Sequence, residues 1–201
     1  MTDSSESAQQ KISRFLRSEV ALGTLIGLLS ILTAFASYQS SLAGGDESDA
    51  NVEGQAILAD SNAEYLRANQ LLVYDYSMFD GFFIHDGEDE FRAEYYRGSF
   101  SEALNAAMEA DPENPFSDAY YEEVFADADA SYAAASQRFD DAQESGKKSN
   151  DLQQVMLIMA VGLSFSAWAS LLPDRSQMRL LFVIFSMVAL VLGLVNLAGT
   201  L

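Results

Sequence analysis

The chain has no cysteine, a single histidine, three prolines and one tryptophan in 201 residues. Without cysteine there is no disulfide framework, no thiolate metal site and no cysteine nucleophile. One histidine, His85, excludes any metal motif built on a histidine pair and argues against a Ser-His-Asp triad. Basic residues are scarce too: 11 Lys and Arg stand against 30 Asp and Glu, for a net charge of −19. Nucleic-acid binding needs clustered cations to neutralise phosphates, so that class of partner is excluded. There is no Walker loop and no strand-bound glycine fingerprint, and nothing implies a cofactor. The expectation is a protein that is not an enzyme.

What is present is unevenly placed. Hydrophobic residues make up 49% of the chain, yet its mean hydropathy is only +0.03. Of the acidic residues, 26 lie between Asp46 and Asp151 with only 6 basic ones, so this stretch alone carries −20. The apolar residues gather instead in three runs, 20–37, 152–172 and 178–198, free of charge except for Arg179 at the edge of the third. About 20 residues of helix cross ~30 Å of hydrocarbon, so each run is long enough to span a bilayer, the first marginally. Ala34-Phe35-Ala36 resembles a signal-peptidase site. The apolar run before it is longer than the ~7–15 residues of a signal core, however, and predicts a retained anchor.

Loop charge sets the expected topology. Lys11, Arg14 and Arg17 precede the first span, and Arg175 and Arg179 flank or sit in the 173–177 link. Lys and Arg collect on the cytoplasmic side, which outweighs Lys147 and Lys148 outside the second span. The reading is a plasma-membrane protein with segment 1–19 and link 173–177 inside. The acidic segment 38–151 and the C-terminal 199–201 then lie outside.

The spans hold almost no ionisable groups, which counts against an ion-coupled carrier. They do carry small residues at helical spacing. Gly23, Gly27, Ser30, Ala34 and Ser37 share a face of the first; Gly162, Ser166 and Ser170 share one in the second; Ser186, Ala189, Gly193 and Asn196 share one in the third. Such stripes let helices approach closely in lipid, either within the chain or between subunits.

The acidic segment reads as helical. Tyr121, Phe125, Ala128, Tyr132, Ala135, Phe139 and Ala142 alternate spacings of four and three, the seam of a coiled coil. No proline separates Pro115 from Pro173, so this helix should run into the second span through Gly146. Upstream, Tyr65, Ala68, Leu72, Tyr76, Phe79 and Phe83 mark another amphipathic helix, expected to begin near Asn51 after a Gly44-Gly45 linker. A third helix fits 88–110, before an extended connection at Pro112 and Pro115. The fold class is therefore all-α: three transmembrane helices plus an extracytoplasmic helical bundle or coiled coil.

Candidate chemistry is thin. Asp86, Glu88, Asp89 and Glu90 offer oxygen ligands that could hold calcium or another cation, but their spacing departs from the EF-hand and suits a helix start. Asp118 can serve as a cap. A ligand pocket lined by Tyr74, Tyr76, Tyr95 and Tyr96 is conceivable beside the plainer reading of core packing. The acidity fits either a surface adapted to high salt or a cation-attracting vestibule over a pore.

The segments Ala-Glu-Tyr-Leu-Arg-Ala-Asn-Gln (63–70), Phe-Arg-Ala-Glu-Tyr-Tyr-Arg-Gly-Ser-Phe (91–100) and Ala-Asp-Pro-Glu-Asn-Pro-Phe (110–116) resemble a group of uncharacterised prokaryotic three-span membrane proteins with a helical extracytoplasmic domain between the first and second spans. Phe83 and Ile84 stand where that group has a tryptophan-containing segment. The resemblance implies this architecture and no activity. The expected role is that of a structural or assembly component in the lipid bilayer, a homo-oligomer or the accessory subunit of another membrane protein. The alternatives are an oligomeric ion channel and, more weakly, a ligand-sensing module.

Overall fold

The computed structural model describes residues 18–201. Lys11, Arg14 and Arg17, on which the orientation argument leans, lie outside the described residues. Among those described, the chain is helical without strands: α1 (Glu19–His85), α2 (Glu90–Arg97), α3 (Glu102–Ala110), α4 (Asp118–Ser170) and α5 (Gln177–Thr200). Three of them, α1, α4 and α5, are long and apolar enough to cross a membrane. The chain divides into two compact units. One is Ala50–Asp141; the other is Ala142–Leu201 with the described part of Met1–Asp49.

The sequence predicted a break at Gly44-Gly45, and there is none: α1 passes through both glycines. A helical glycine costs only about 1 kcal/mol relative to alanine, and no proline interrupts 19–85. Packing offsets that cost. A Cβ on Gly44 would lie 3.5 Å from the Ser149 hydroxyl. Beside it the Ser40 hydroxyl donates to the Ser149 carbonyl and the Ser149 hydroxyl to the Ser40 carbonyl, both at 3.1 Å. The continuity predicted for α4 through Gly146 is present.

Within Ala50–Asp141, α1 and α4 run antiparallel. Glu53 pairs with Arg138 at 3.2 Å, the Ser61 hydroxyl donates to the Ala128 carbonyl at 2.9 Å, and the Tyr120 hydroxyl to Asp75 at 2.8 Å. The partner numbers fall along one helix as they rise along the other. The interior positions recur every seventh residue and are small. Gly54, Ser61, Ala68 and Asp75 are buried on α1; Ala128 and Ala135 are buried on α4, as is Ala142, the first residue of the other unit. This corrects the aromatic seam. Tyr121, Phe125 and Phe139 are only half-buried, and Tyr132 is 60% exposed. The reason is steric: small interior residues bring the backbones close, so rings flank the contact instead of filling it. Phe139 lies over Gly54, and Phe125 packs on Tyr65 with ring centroids 5.1 Å apart.

The single helix expected over 88–110 is two helices, α2 and α3. Residues 98–101 separate them: α2 ends at Arg97 with Gly98 as its C-cap, and the Ser101 backbone N–H donates to Asp75 on α1 at 3.1 Å instead of to a carbonyl one turn back. The Ser101 hydroxyl oxygen accepts from the Leu104 N–H at 3.1 Å and so caps α3. A tertiary carboxylate overrides local helix propensity here. Phe100, Leu104 and Tyr120 form the core around this junction, with Leu72, Phe79, Phe82 and Phe116 packed against them.

Candidate functional site

The chain offers three places to look for function: the acidic turn, the buried polar junction and the small-residue stripes. In the acidic turn Gly87 takes φ +78, the left-handed conformation that glycine adopts without a Cβ penalty. Asp89 then accepts from the Arg92 N–H at 3.2 Å as the N-cap of α2, and it pairs with the Arg92 guanidinium at 3.3 Å. Glu90 occupies the first turn, where a negative charge complements the helix dipole. Among the described residues, no three acids or histidines converge closely enough to hold a metal ion. Asp89 and Glu90 are thus engaged at the start of α2, while Asp86 and Glu88 are exposed in the turn before it. His85 also looks inward: its Nδ1 lies 2.8 Å from the Gly81 carbonyl and its ring stacks on Tyr96.

The four tyrosines proposed as a pocket do not assemble. Tyr76 stacks on Phe116 at 4.1 Å and shares a 2.6 Å hydrogen bond with the Tyr121 hydroxyl, whereas Tyr96 fills the space over Gly81. Tyr74 and Tyr95 are exposed.

The polar centre of Ala50–Asp141 is one that periodicity did not single out. Asp75 is fully buried and accepts three hydrogen bonds, from the Ser101 N–H, the Ser101 hydroxyl and the Tyr120 hydroxyl. A buried carboxylate is tolerable only with such charge-assisted partners. One signal was available in the sequence: Asp75 falls seven residues after Ala68 and so continues the interior register. Asp75 on α1, Ser101 at the cap of α3 and Tyr120 on α4 thus tie three helices together as a structural clasp.

Burial first, then donation to Asp75, raises the Tyr120 phenol above its ordinary value of 10.0. Tyr76 is raised as well, chiefly by its hydrogen bond with Tyr121. The sign of the linkage follows. The folded state keeps the Tyr120 proton to higher pH than the unfolded chain does, so its contribution is complete below the ordinary tyrosine range. It is lost as pH rises beyond that range. Phenolate absorbance should show a late component that appears with unfolding. Tyr120→Phe should remove that component and cost about 1.5–3 kcal/mol, the worth of a hydrogen bond to a charged group.

In the unit that contains the apolar helices, the stripes part company. Gly162 and Ser166 on α4 and Ser186, Ala189 and Gly193 on α5 are buried against one another. The Ser166 and Ser186 hydroxyls are bonded, and Ser186 also donates to the Gly162 carbonyl at 2.9 Å. A Cβ on Gly162 would stand 2.9 Å from that of Ala189, and one on Gly193 would run into Met159. Gly162→Leu should therefore force α4 from α5, and cysteines placed across that contact should lose their cross-linking in membranes. Two residues depart from the expected faces. Ser170 is exposed and bonds the Ala167 carbonyl at 2.7 Å; Asn196 is exposed and donates to the Leu192 carbonyl at 2.8 Å.

The α1 stripe behaves differently. Leu22, Leu25 and Leu29 are buried against the other two helices, with Leu152, Val155 and Met159 in the same core. Gly23, Ser30, Ala34 and Ser37 are exposed and Gly27 is half-buried. Nothing lies within 4 Å of where a Cβ would stand on Gly23 or Gly27.

Arg179 is not a free interfacial charge. It is 4% exposed, donates to the Leu172 carbonyl at 2.9 Å and pairs with Asp174, which ties the link between α4 and α5 to the start of α5. Among the residues described at that link, Arg175 is left as the unpaired cation. No protein-family model matches the chain, and neither does any curated protein or solved structure.

Proposed function

We propose that the protein is a non-enzymatic integral membrane protein that acts as a structural or assembly component, associating with further copies of itself in the bilayer. The observation that carries this reading is the outward stripe on α1. Gly23-Thr-Leu-Ile-Gly27 is a G-x-x-x-G pattern, extended by Ser30, Ala34 and Ser37, and no part of the described chain covers its glycines. Lipid gives helices no hydrophobic reason to associate, and close backbone approach through small residues is the common substitute. The equivalent stripes on α4 and α5 are already used within the chain, which leaves α1 as the face for a neighbour.

The remaining surface suits the same reading. Large apolar side chains such as Ile31, Phe35, Val161, Ile184 and Val195 face outward on the apolar helices, as lipid-facing residues do. Trp168 is exposed near the α4–α5 link, a place for an aromatic anchor at the membrane boundary. With Arg175 and the basic N-terminal segment on the cytoplasmic side, residues 38–151 form an acidic extracytoplasmic domain and the C-terminus emerges outside. Buried and half-buried polar groups of that domain join one helix to another, as scaffold residues do: Ser61 to Ala128, Ser131 to Glu64, Tyr120 to Asp75.

Mass measurement of the protein extracted with its native lipid tests the proposal. A defined oligomer is expected; a uniform monomer across protein concentrations would overturn it. Reproducible single-channel conductance from the same particles would replace the structural role with that of a cation channel.

A further inference from the structure

Within the Ala50–Asp141 unit, α1 carries a second heptad on its outer side. Val52, Ala59, Leu66 and Val73 recur every seventh residue and are exposed, Val52 and Val73 to 65% and Leu66 to 62%. Ala56, Ala63, Gln70 and Ser77 each follow one of them by four residues and are exposed as well. Spacings of four and three in alternation make a coiled-coil seam. It is sustained over 52–77, more than the ~3 heptads that mark such a pattern. The interior set, Gly54, Ser61, Ala68 and Asp75, lies two residues further on, about 200° around a helix of 3.6 residues per turn. One seam of α1 thus meets α4 and the other points away from it. We propose that the outward seam pairs with the same seam of a second copy as a parallel, two-stranded coiled coil. The inference rests on the reading that copies associate in one bilayer, and it adds a contact separate from the glycine stripe.

Charge selects the occupant. The stretch from Asp46 to Asp151 carries −20, so two copies repel wherever their carboxylates face each other. None of the eight seam positions is charged. On one flank Gln55, Asn62, Asn69 and Tyr76 are neutral too. The other flank holds Glu53, Asp60, Arg67 and Tyr74, and Glu53 is already paired with Arg138. In a parallel pair these flanks meet across the interface, each residue of the first facing the one five positions on in the neighbouring copy. Gln55 then faces Asp60, Asn62 faces Arg67 and Asn69 faces Tyr74, so no contact opposes like charges. A basic partner would be drawn to the carboxylates elsewhere on the unit. An uncharged strip is where two acidic copies can touch.

Orientation and register follow from the same residues. Copies with one topology in one bilayer point α1 the same way, which makes the pair parallel and places identical residues opposite each other. Ala56, Ala59 and Ala63 let the helix axes come toward the near end of the ~8–10 Å range for packed helices. Val52, Leu66 and Val73 supply the larger apolar contacts on either side of that stretch. Gln70 faces its own counterpart, and an amide that both donates and accepts can bond its twin. A single polar residue at a seam position is a known way to fix register.

The chain has no cysteine, so single introduced thiols report proximity without background. Ala59→Cys, Leu66→Cys and Val73→Cys, each in the full-length protein reconstituted in bilayers, should form disulfide-linked dimers on mild oxidation. Ala133→Cys is the control: it is exposed on α4, two residues before the buried Ala135, and should link far more slowly. Leu66→Glu sets two carboxylates face to face and should weaken association, read by energy transfer between labelled copies, at least about tenfold. Circular dichroism should not change, because residue 66 already faces outward. Absent links at the seam, equal linking at Ala133, or no effect of Leu66→Glu on an association that the parent shows would overturn the pairing and leave assembly to the glycine stripe. A parent that does not associate removes the assembly reading and this inference together. Seam thiols that link to another protein in native membranes, but not to their twins in bilayers, would assign the face to that protein and overturn the pairing.

Discussion

Asp75→Ala is expected to destabilise the Ala50–Asp141 unit by about 3–5 kcal/mol, because two hydroxyls and one backbone N–H lose their common acceptor inside the core. Domain stabilities are commonly only ~5–15 kcal/mol, so the loss takes a large share of the total. The effect should be local in origin. The α3 cap depends on Ser101, and Ser101 is oriented by Asp75, so amide exchange should accelerate first over Glu102–Ala110. Asp75→Asn keeps the volume and one acceptor oxygen, and its amide hydrogens can be received by the hydroxyls after they rotate; about half the loss should return. Asp80→Ala, at an exposed position on the same helix, should stay within about 0.5 kcal/mol of the parent. Denaturant unfolding followed by circular dichroism separates the three. A loss below about 1 kcal/mol for Asp75→Ala would mean that water satisfies the freed groups as well as the carboxylate does.

The same residue shows where reading the sequence succeeds and where it stops. Long apolar runs nearly free of charge announce the three helices apolar enough to cross a membrane, since the physics that selects them acts on each run alone. The uninterrupted α4 was legible too, because only proline reliably stops a helix and none lies between 115 and 173. The breaks were not. Gly44-Gly45 reads as a linker by local propensity, but Ser40 and Ser149, far apart in sequence, hold the helix through it. Conversely, 88–110 reads as one helix, but the chain leaves helix geometry after Arg97 and restarts at Glu102, with the Ser101 N–H between them claimed by a carboxylate on α1. The heptad on α4 was found with the right spacing, and its alanines Ala128, Ala135 and Ala142 are interior, whereas its aromatic members are not: Tyr132 faces out. Periodicity tells which residues share a face. It does not tell which face meets the neighbour when small and large residues alternate on both.

That ambiguity governs the membrane stripes and leads to the second large expected effect. Gly27→Leu should weaken self-association by roughly tenfold to a hundredfold, a loss of about 1.4–2.8 kcal/mol, while leaving the fold of each chain intact. The two halves of this expectation have separate causes. A leucine at the second glycine of G-x-x-x-G holds a facing helix away from the backbone, so the dispersion contacts of close packing are lost. Among the described residues the new Cβ meets nothing beyond its own helix backbone and chain neighbours within 4 Å. Leucine is also the better helix former, by somewhat under 1 kcal/mol. Association and helix stability should therefore move in opposite directions. Gly162→Leu supplies the contrast: its Cβ would already stand 2.9 Å from Ala189, so this variant should lose the α4–α5 contact inside each chain. Quantitative energy transfer between labelled copies in bilayers, diluted with lipid, gives the association constant. Cysteine cross-linking between α4 and α5 reports the internal contact independently. An association constant unchanged by Gly27→Leu would show that the outward stripe of α1 faces lipid alone.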